Sequence, residues 1–192
     1  MTSPPGLQPG AYYHIFNRGT NRENLFREER NYPYFLKLYA QYVEPIAETY
    51  AYCLLKNHFH LLVQIKDDVA APAAASQGFA NLFSTYAKAI NNAYRRTGSL
   101  FEHPYGRIEV RDNIYFSRLV AYIHQNPQRH GLVTDFRDWK YSSYHALTTN
   151  SATRLKRETV VRWFDDLTNF KAVHDNPGVE PVMEMLAPND FD

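Results

Sequence analysis

The segment Asn57-His58-Phe59-His60-Leu61-Leu62-Val63-Gln64-Ile65 constrains the fold more than any other stretch of the chain. Side chains alternate between the two faces of a strand. One face carries Phe59, Leu61, Val63 and Ile65, wholly apolar, and must be the core face; the other carries His58, His60, Leu62 and Gln64. The two imidazoles project side by side, about 6.6 Å apart along the strand, which lets both rings lean toward one metal ion. Two surface histidines on a half-exposed strand would show the same pattern. Two imidazoles also leave a metal short of ligands, so a third protein group is required from elsewhere.

The neighbouring stretches supply partners for this strand. Ala11 to Arg18 is a β-branched and aromatic run closed by Gly19, and Ile46 to Leu55 reads as a strand joined to His58–Ile65 through the turn Lys56-Asn57. Between them, Asn31 to Glu44 has the apolar spacing of a helix with one buried face. Residues 69–76 (VAAPAAAS) read as a small-residue linker, followed by a helix from Phe79 to Arg96 with Gly98 as its cap residue. Tyr105 to Val110 is a fourth strand; Asp112 or Asn113 then caps a helix running to about Gln125, where Pro127 ends it. The order β-α-β-β-α-β and then a helix is that of an α+β, ferredoxin-like split βαβ arrangement with an antiparallel sheet and a C-terminal helical extension. Residues 1–10 read as an extended leader, 132–150 as irregular and aromatic, and Glu158 to Phe170 as a separate short helix.

Composition narrows the function classes. With 44% hydrophobic and 21% charged residues in 192, a packed core is expected. No apolar run approaches the roughly 20 residues of a membrane span, and no signal peptide is evident, so a soluble cytoplasmic protein with no membrane partner is expected. Cys53 is the only cysteine, which excludes an intramolecular disulfide and a cysteine zinc cluster. The net charge of +1 hides an asymmetry: residues 1–150 hold 16 basic and 12 acidic side chains, residues 151–192 hold 5 and 8. The basic excess concentrates in residues 86–130, with Lys88, Arg95, Arg96, Arg107, Arg111, Arg118 and Arg129 against Glu102, Glu109 and Asp112. Such a patch suits phosphate binding, and a solvated helical face would look the same. Fifteen tyrosines and twelve phenylalanines could include bases' stacking partners, although a core takes most of them.

The helix from Asp112 offers the missing ligand. Ile114, Val120 and Ile123 face the core, while Tyr115, Leu119, Tyr122 and Asn126 form one adjacent stripe. Asn126 has a carbonyl oxygen suited to a hard divalent cation, and Tyr122 a phenol oxygen that can act as a nucleophile. A metal held by His58, His60 and Asn126 would sit within reach of Tyr122, whose ordinary role would otherwise be that of a core or interface aromatic. His14, on a strand face with Tyr12 and Phe16, is expected to be structural or hydrogen-bonding; His124, off the Tyr122 stripe, is expected to be structural.

The runs Tyr52-Cys53-Leu54-Leu55-Lys56-Asn57-His58-Phe59-His60-Leu61-Leu62-Val63 and Tyr122-Ile123-His124-Gln125-Asn126-Pro127-Gln128-Arg129-His130-Gly131-Leu132 resemble the two signature motifs of single-tyrosine HUH transposases, IS200-like, in the branch called REP-associated tyrosine transposases. Tyr13–Gly19, Gly98–Tyr105 and Trp139–Tyr144 are similar to that branch as well. The resemblance spans about residues 11–146, an HUH transposase domain followed by a 147–192 extension that matches no motif. It implies cleavage and rejoining of single-stranded DNA next to a hairpin, through a 5′-phosphotyrosine and without an organic cofactor. By resemblance, Tyr122 is the nucleophile, His58 and His60 are metal ligands and Asn126 is the third; Mg²⁺ is the implied ion, with Mn²⁺ able to substitute. Arg95, Arg96, Arg107, Arg111, Asn17 and Arg18 are the candidate phosphate contacts. The implied assembly is a monomer or homodimer. A hairpin DNA- or RNA-binding module without catalysis is the alternative, and a metal-dependent hydrolase acting through water would not use Tyr122.

Overall fold

A computed structural model describes residues 6–175, the side chains of Asn113 and Ile114 excepted, so the start of the leader, the expected core-facing side chain of Ile114 and most of the acidic tail lie outside what is described. Four strands, β1 (Tyr12–Arg18), β2 (Ala47–Leu54), β3 (His58–Ile65) and β4 (Gly106–Val110), form one sheet in the order β2-β3-β1-β4 with every neighbouring pair antiparallel. Helix α1 (Asn31–Tyr42) connects β1 to β2, α2 (Pro72–Tyr94) connects β3 to β4, and α3 (Asn113–Arg129) follows β4. This is the expected split βαβ fold.

The alternation read from β3 divides the molecule into two cores. Phe59, Leu61, Val63 and Ile65 are fully or almost fully buried with Phe35, Leu38, Phe79, Leu82 and Phe83 of α1 and α2. Leu62 points the other way, into a cluster with Leu119, Val120, Tyr122 and Ile123 of α3. α1 and α2 approach closely at Gly78, where a Cβ would meet the Tyr42 carbonyl oxygen at 2.8 Å and Ile46 at 2.9 Å. At Gly106 a Cβ would stand 2.2 Å from the Phe16 ring, so glycine lets that ring lie across β4.

Several boundaries differ from the sequence reading. The 69–76 segment is not a linker throughout: α2 starts at Pro72, because proline suits the first helical position and the alanines after it are strong helix formers. Its end is set by Arg95 in the left-handed region (φ 50°), three residues before the expected Gly98. α3 does not stop at Pro127. His130 N–H still reaches Asn126 O (3.0 Å), and the helix closes at Gly131 (φ 64°), with Leu132 N–H on Pro127 O (2.8 Å) and Gly131 N–H on Gln128 O (3.0 Å), the paired bonds of a glycine C-cap. Proline removes its own donor only; the donors after it keep their carbonyls.

Residues beyond α3 are more ordered than expected. A 3-10 turn at Phe136–Asp138 and a short helix α4 (Tyr144–Thr148) interrupt the aromatic stretch. The single helix expected at Glu158–Phe170 is two, α5 (Arg157–Arg162) and α6 (Leu167–His174), broken at Asp165 (φ 69°) and restarted by Asp166, whose side chain caps Asn169 N–H at 2.8 Å. Val160, Phe164 and Phe170 join the α3-side cluster, and the Trp163 ring stacks on Phe116 (4.5 Å) and Tyr50 (5.0 Å). Among the described residues, no helix is long and apolar enough to cross a membrane.

Candidate active site

Register on the α3 side of the sheet brings β1 and β3 side chains together. Arg18 pairs with His58, Phe16 with His60 and His14 with Leu62. His58 and His60 do not lie on a half-exposed strand: α3 covers them, leaving them 2% and 0% exposed. Their rings stand edge to face with centroids 5.3 Å apart.

Each histidine is held through Nδ1. His58 Nδ1 lies 2.8 Å from Asn57 Oδ1 and His60 Nδ1 lies 2.9 Å from Nε2 of the fully buried His14. The structural, hydrogen-bonding role expected of His14 is thereby specified: it orients His60. His14 Nδ1 has no hydrogen-bond partner among the described residues. Across the site, α3 presents its stripe. Asn126 Oδ1 is 3.4 Å from His58 Nε2, its Nδ2 donates to the Tyr122 carbonyl (3.3 Å), and the Tyr122 ring stands edge to face on His60 at 5.4 Å. The structure thus brings His58, His60, Asn126 and Tyr122 together within one chain.

Burial keeps all three imidazoles uncharged at neutral pH. It lowers His14 and His58 to about 3, with His130 adding to the effect on His58, and holds His60 well below the usual histidine range, helped by His14 and His58. Neutral imidazoles with Nδ1 engaged are the form in which Nε2 ligates a metal. The donor set of two imidazoles and one amide oxygen therefore fits a divalent cation. No cluster of three or more His, Cys, Asp or Glu side chains is arranged to hold a metal among the described residues, because the third donor here is an amide.

Two neighbours escaped the sequence reading as site residues. The Arg129 guanidinium lies 5.6 Å from the Tyr122 ring centroid, and the His130 ring meets His58 at 4.7 Å. Ending the helix before Pro127 put both in a loop; extending the stripe by seven residues from Tyr122 would have found Arg129.

The candidate phosphate contacts scatter. Arg18 is beside His58, with Nε on Glu102 at 2.6 Å. Asn17 is buried on the α1/α2 side, opposite Phe59, and its Oδ1 accepts from Arg18 N–H (2.8 Å). Arg107 also lies on that side, opposite Ile15, against Tyr105 and Ser76. Arg95 ends α2 exposed, Arg96 is held by Glu23 (2.7 Å) and Asn91 (2.6 Å), and Arg111 pairs with Glu109 at 2.8 and 2.9 Å on the surface.

A family model described as "Transposase IS200 like" matches residues 8–126, a span that contains His58, His60, Tyr122 and Asn126. A Haemophilus influenzae protein named as a REP-associated tyrosine transposase is 32% identical over 105 residues, covering 51% of this chain and 59% of that protein. This chain therefore matches about three fifths of the length of that relative. A solved structure of a REP-associated tyrosine transposase bound to a REP hairpin shares the fold, with a TM-score of 0.58 over 76% of this chain and 83% of that one at 17% identity.

Proposed function

The chain belongs to the IS200-like transposase family, and from that premise we propose that it cleaves and rejoins single-stranded DNA beside hairpins, with Tyr122 as nucleophile and His58, His60 and Asn126 holding a divalent cation. The observation that carries this reading is the convergence of β3 and α3: His58 Nε2 faces Asn126 Oδ1 at 3.4 Å while the Tyr122 ring rests against His60. The hairpin bound by the fold relative supports hairpin DNA as the partner.

Bound there, Mg²⁺, or Mn²⁺ in its place, would neutralise a non-bridging phosphate oxygen and make phosphorus attackable. The chain's residues do the rest. Tyr122 oxygen forms a bond to phosphorus as the bond to the 3′ oxygen breaks, leaving a 5′-phosphotyrosine and a 3′-hydroxyl. One phosphodiester replaces another, so no nucleotide cofactor is needed, and the 3′-hydroxyl can reverse the step to rejoin strands. The Arg129 guanidinium lies over the ring and puts a positive charge beside the attacking group. Arg18, beside His58, is the best placed of the candidate phosphate contacts; Asn17, Arg95, Arg96, Arg107 and Arg111 would act on DNA outside the reacting centre or on the fold.

Incubation with hairpin oligonucleotides labelled 3′ of candidate cleavage sites tests the reading. A metal-dependent protein–DNA adduct on a denaturing gel, lost in Tyr122→Phe and His58→Ala, is expected. A free 5′-phosphate with no adduct would indicate attack by water instead, and hairpin binding without any cleavage a binding module.

A further inference from the structure

Behind α3, on the side away from the proposed cation, His124 and Gln125 of the helix build a second buried polar cluster with residues that follow it in the chain. His124 and Ser143 are 0% exposed and His174 of α6 is 1% exposed. His124 lies two residues from both Tyr122 and Asn126. Two residues turn a helix by about 200°, so His124 marks the opposite side of the same turns.

With both imidazoles neutral, the hydrogens of this cluster have one consistent order. His174 Nδ1 donates to the Phe170 carbonyl (2.7 Å), which leaves the lone pair of His174 on Nε2. His124 Nδ1 donates to that lone pair (2.7 Å), and Ser143 Oγ donates to His124 Nε2 (2.7 Å). Ser143 Oγ accepts from the backbone N–H of Tyr52 in β2 (2.8 Å), and Gln125 Nε2 donates to the His174 carbonyl (2.7 Å). Every polar side-chain atom of His124 and His174 is engaged. The chain of bonds runs from α6 through α3 to the sheet, across the helix that carries the proposed nucleophile.

We infer that α6 is a latch on α3: through His174 and His124 it sets the rotation of α3, so that Tyr122 and Asn126 face His58 and His60 of the same chain. His174 is thus a positioning residue for strand cleavage, and the extension is part of the catalytic unit. The inference rests on the proposed role of Tyr122, but the rigidity of α3 can be read without any DNA. A small displacement of an attacking atom costs up to about 100-fold in rate, while the hairpin-binding surface need not change.

The test uses the full chain and its His174→Leu, His174→Gln and Ser143→Ala variants. Hydrogen–deuterium exchange is expected to rise about tenfold in residues 115–129 of His174→Leu and of Ser143→Ala, with β1–β4 unchanged except for the Tyr52 amide in Ser143→Ala, which loses its acceptor. His174→Gln, whose side-chain oxygen can accept from His124 Nδ1, is expected to restore slow exchange. On a DNA hairpin that the wild type cleaves in Mn²⁺, His174→Leu should lower the single-turnover rate 10- to 100-fold at unchanged hairpin affinity. Unchanged α3 exchange in His174→Leu, exchange rising equally in helix and sheet, or a glutamine variant no better than leucine would each overturn the latch. Should the wild type cleave no hairpin, the proposed function fails, and the exchange pattern still decides the latch.

Discussion

On one side of β3, Phe59, Leu61, Val63 and Ile65 pack among the rings and aliphatic chains of α1 and α2; on the other, His58, His60 and Leu62 lie under α3 amid further buried histidines. Both sides exclude water, by different means. The first is held by shape and area, at roughly 1.5–3 kcal/mol for each large apolar side chain buried. The second is held largely by pairing its buried nitrogens, His14 Nδ1 excepted, because an unsatisfied one costs about 1–3 kcal/mol. A core of the first kind tolerates any residue of fitting volume; one of the second kind specifies side chains atom by atom, which is what placing a metal and a nucleophile demands.

The sharpest way to separate the two sides is Tyr122→Phe. It should abolish the protein–DNA adduct and leave hairpin binding and the melting temperature close to wild type, measured by denaturing gel, binding titration and thermal melt. An adduct that persists would place the nucleophile elsewhere.

Acid should break the histidine side. Burial lowers His14 and His58 to about 3 and His174 to about 4, and holds His60 and His124 well below the ordinary value of 6.5. The folded values lie below the unfolded one, so the unfolded chain takes up protons first as pH falls. Stability is therefore complete above about pH 6.5 and is lost toward pH 3–4, by up to roughly 1.4 kcal/mol per pH unit for each histidine. Thermal melts without metal should show a steep fall in Tm between pH 7.5 and 5, with α3 amides exchanging before those of β3. A flat Tm over that range would mean that the imidazoles are not buried in neutral form.

Phe59→Ala attacks the other side. It should cost about 3–5 kcal/mol in denaturant unfolding, while the fraction of folded molecules that form the adduct stays as in wild type. If adduct formation per folded molecule falls as well, the two sides are coupled. The smallest effect is expected from His14→Leu, which removes the partner of His60 Nδ1. Weaker cation binding by about 10- to 100-fold, read by Mn²⁺ titration, is the expected result, and an unchanged affinity would reduce His14 to packing.

Much of this was legible in sequence because it is periodic. The two-residue alternation of β3 separated the faces correctly, and the stripe on α3 selected Tyr122 and Asn126. Errors came where a local signal was outranked by context. Pro127 looked like a stop, but a proline near a helix end forfeits one bond, and Gly131 supplies the real stop. Pro72 and its alanines looked like a linker because small residues do not announce the close approach of α1 and α2 at Gly78. The extension had no motif, since its attachment runs through His174, fifty residues from its partner His124.

By itself the sequence determined which side chains share a face, because the periods of strand and helix are properties of the backbone and hold wherever the element packs. Only the tertiary structure decided that α3 lies over the histidine face of β3, that His14 rather than solvent satisfies His60, and that α6 closes on the back of α3. Those contacts join residues far apart in the chain. Their free energy comes from burial and from pairing polar atoms across elements, and no local pattern encodes which element will arrive.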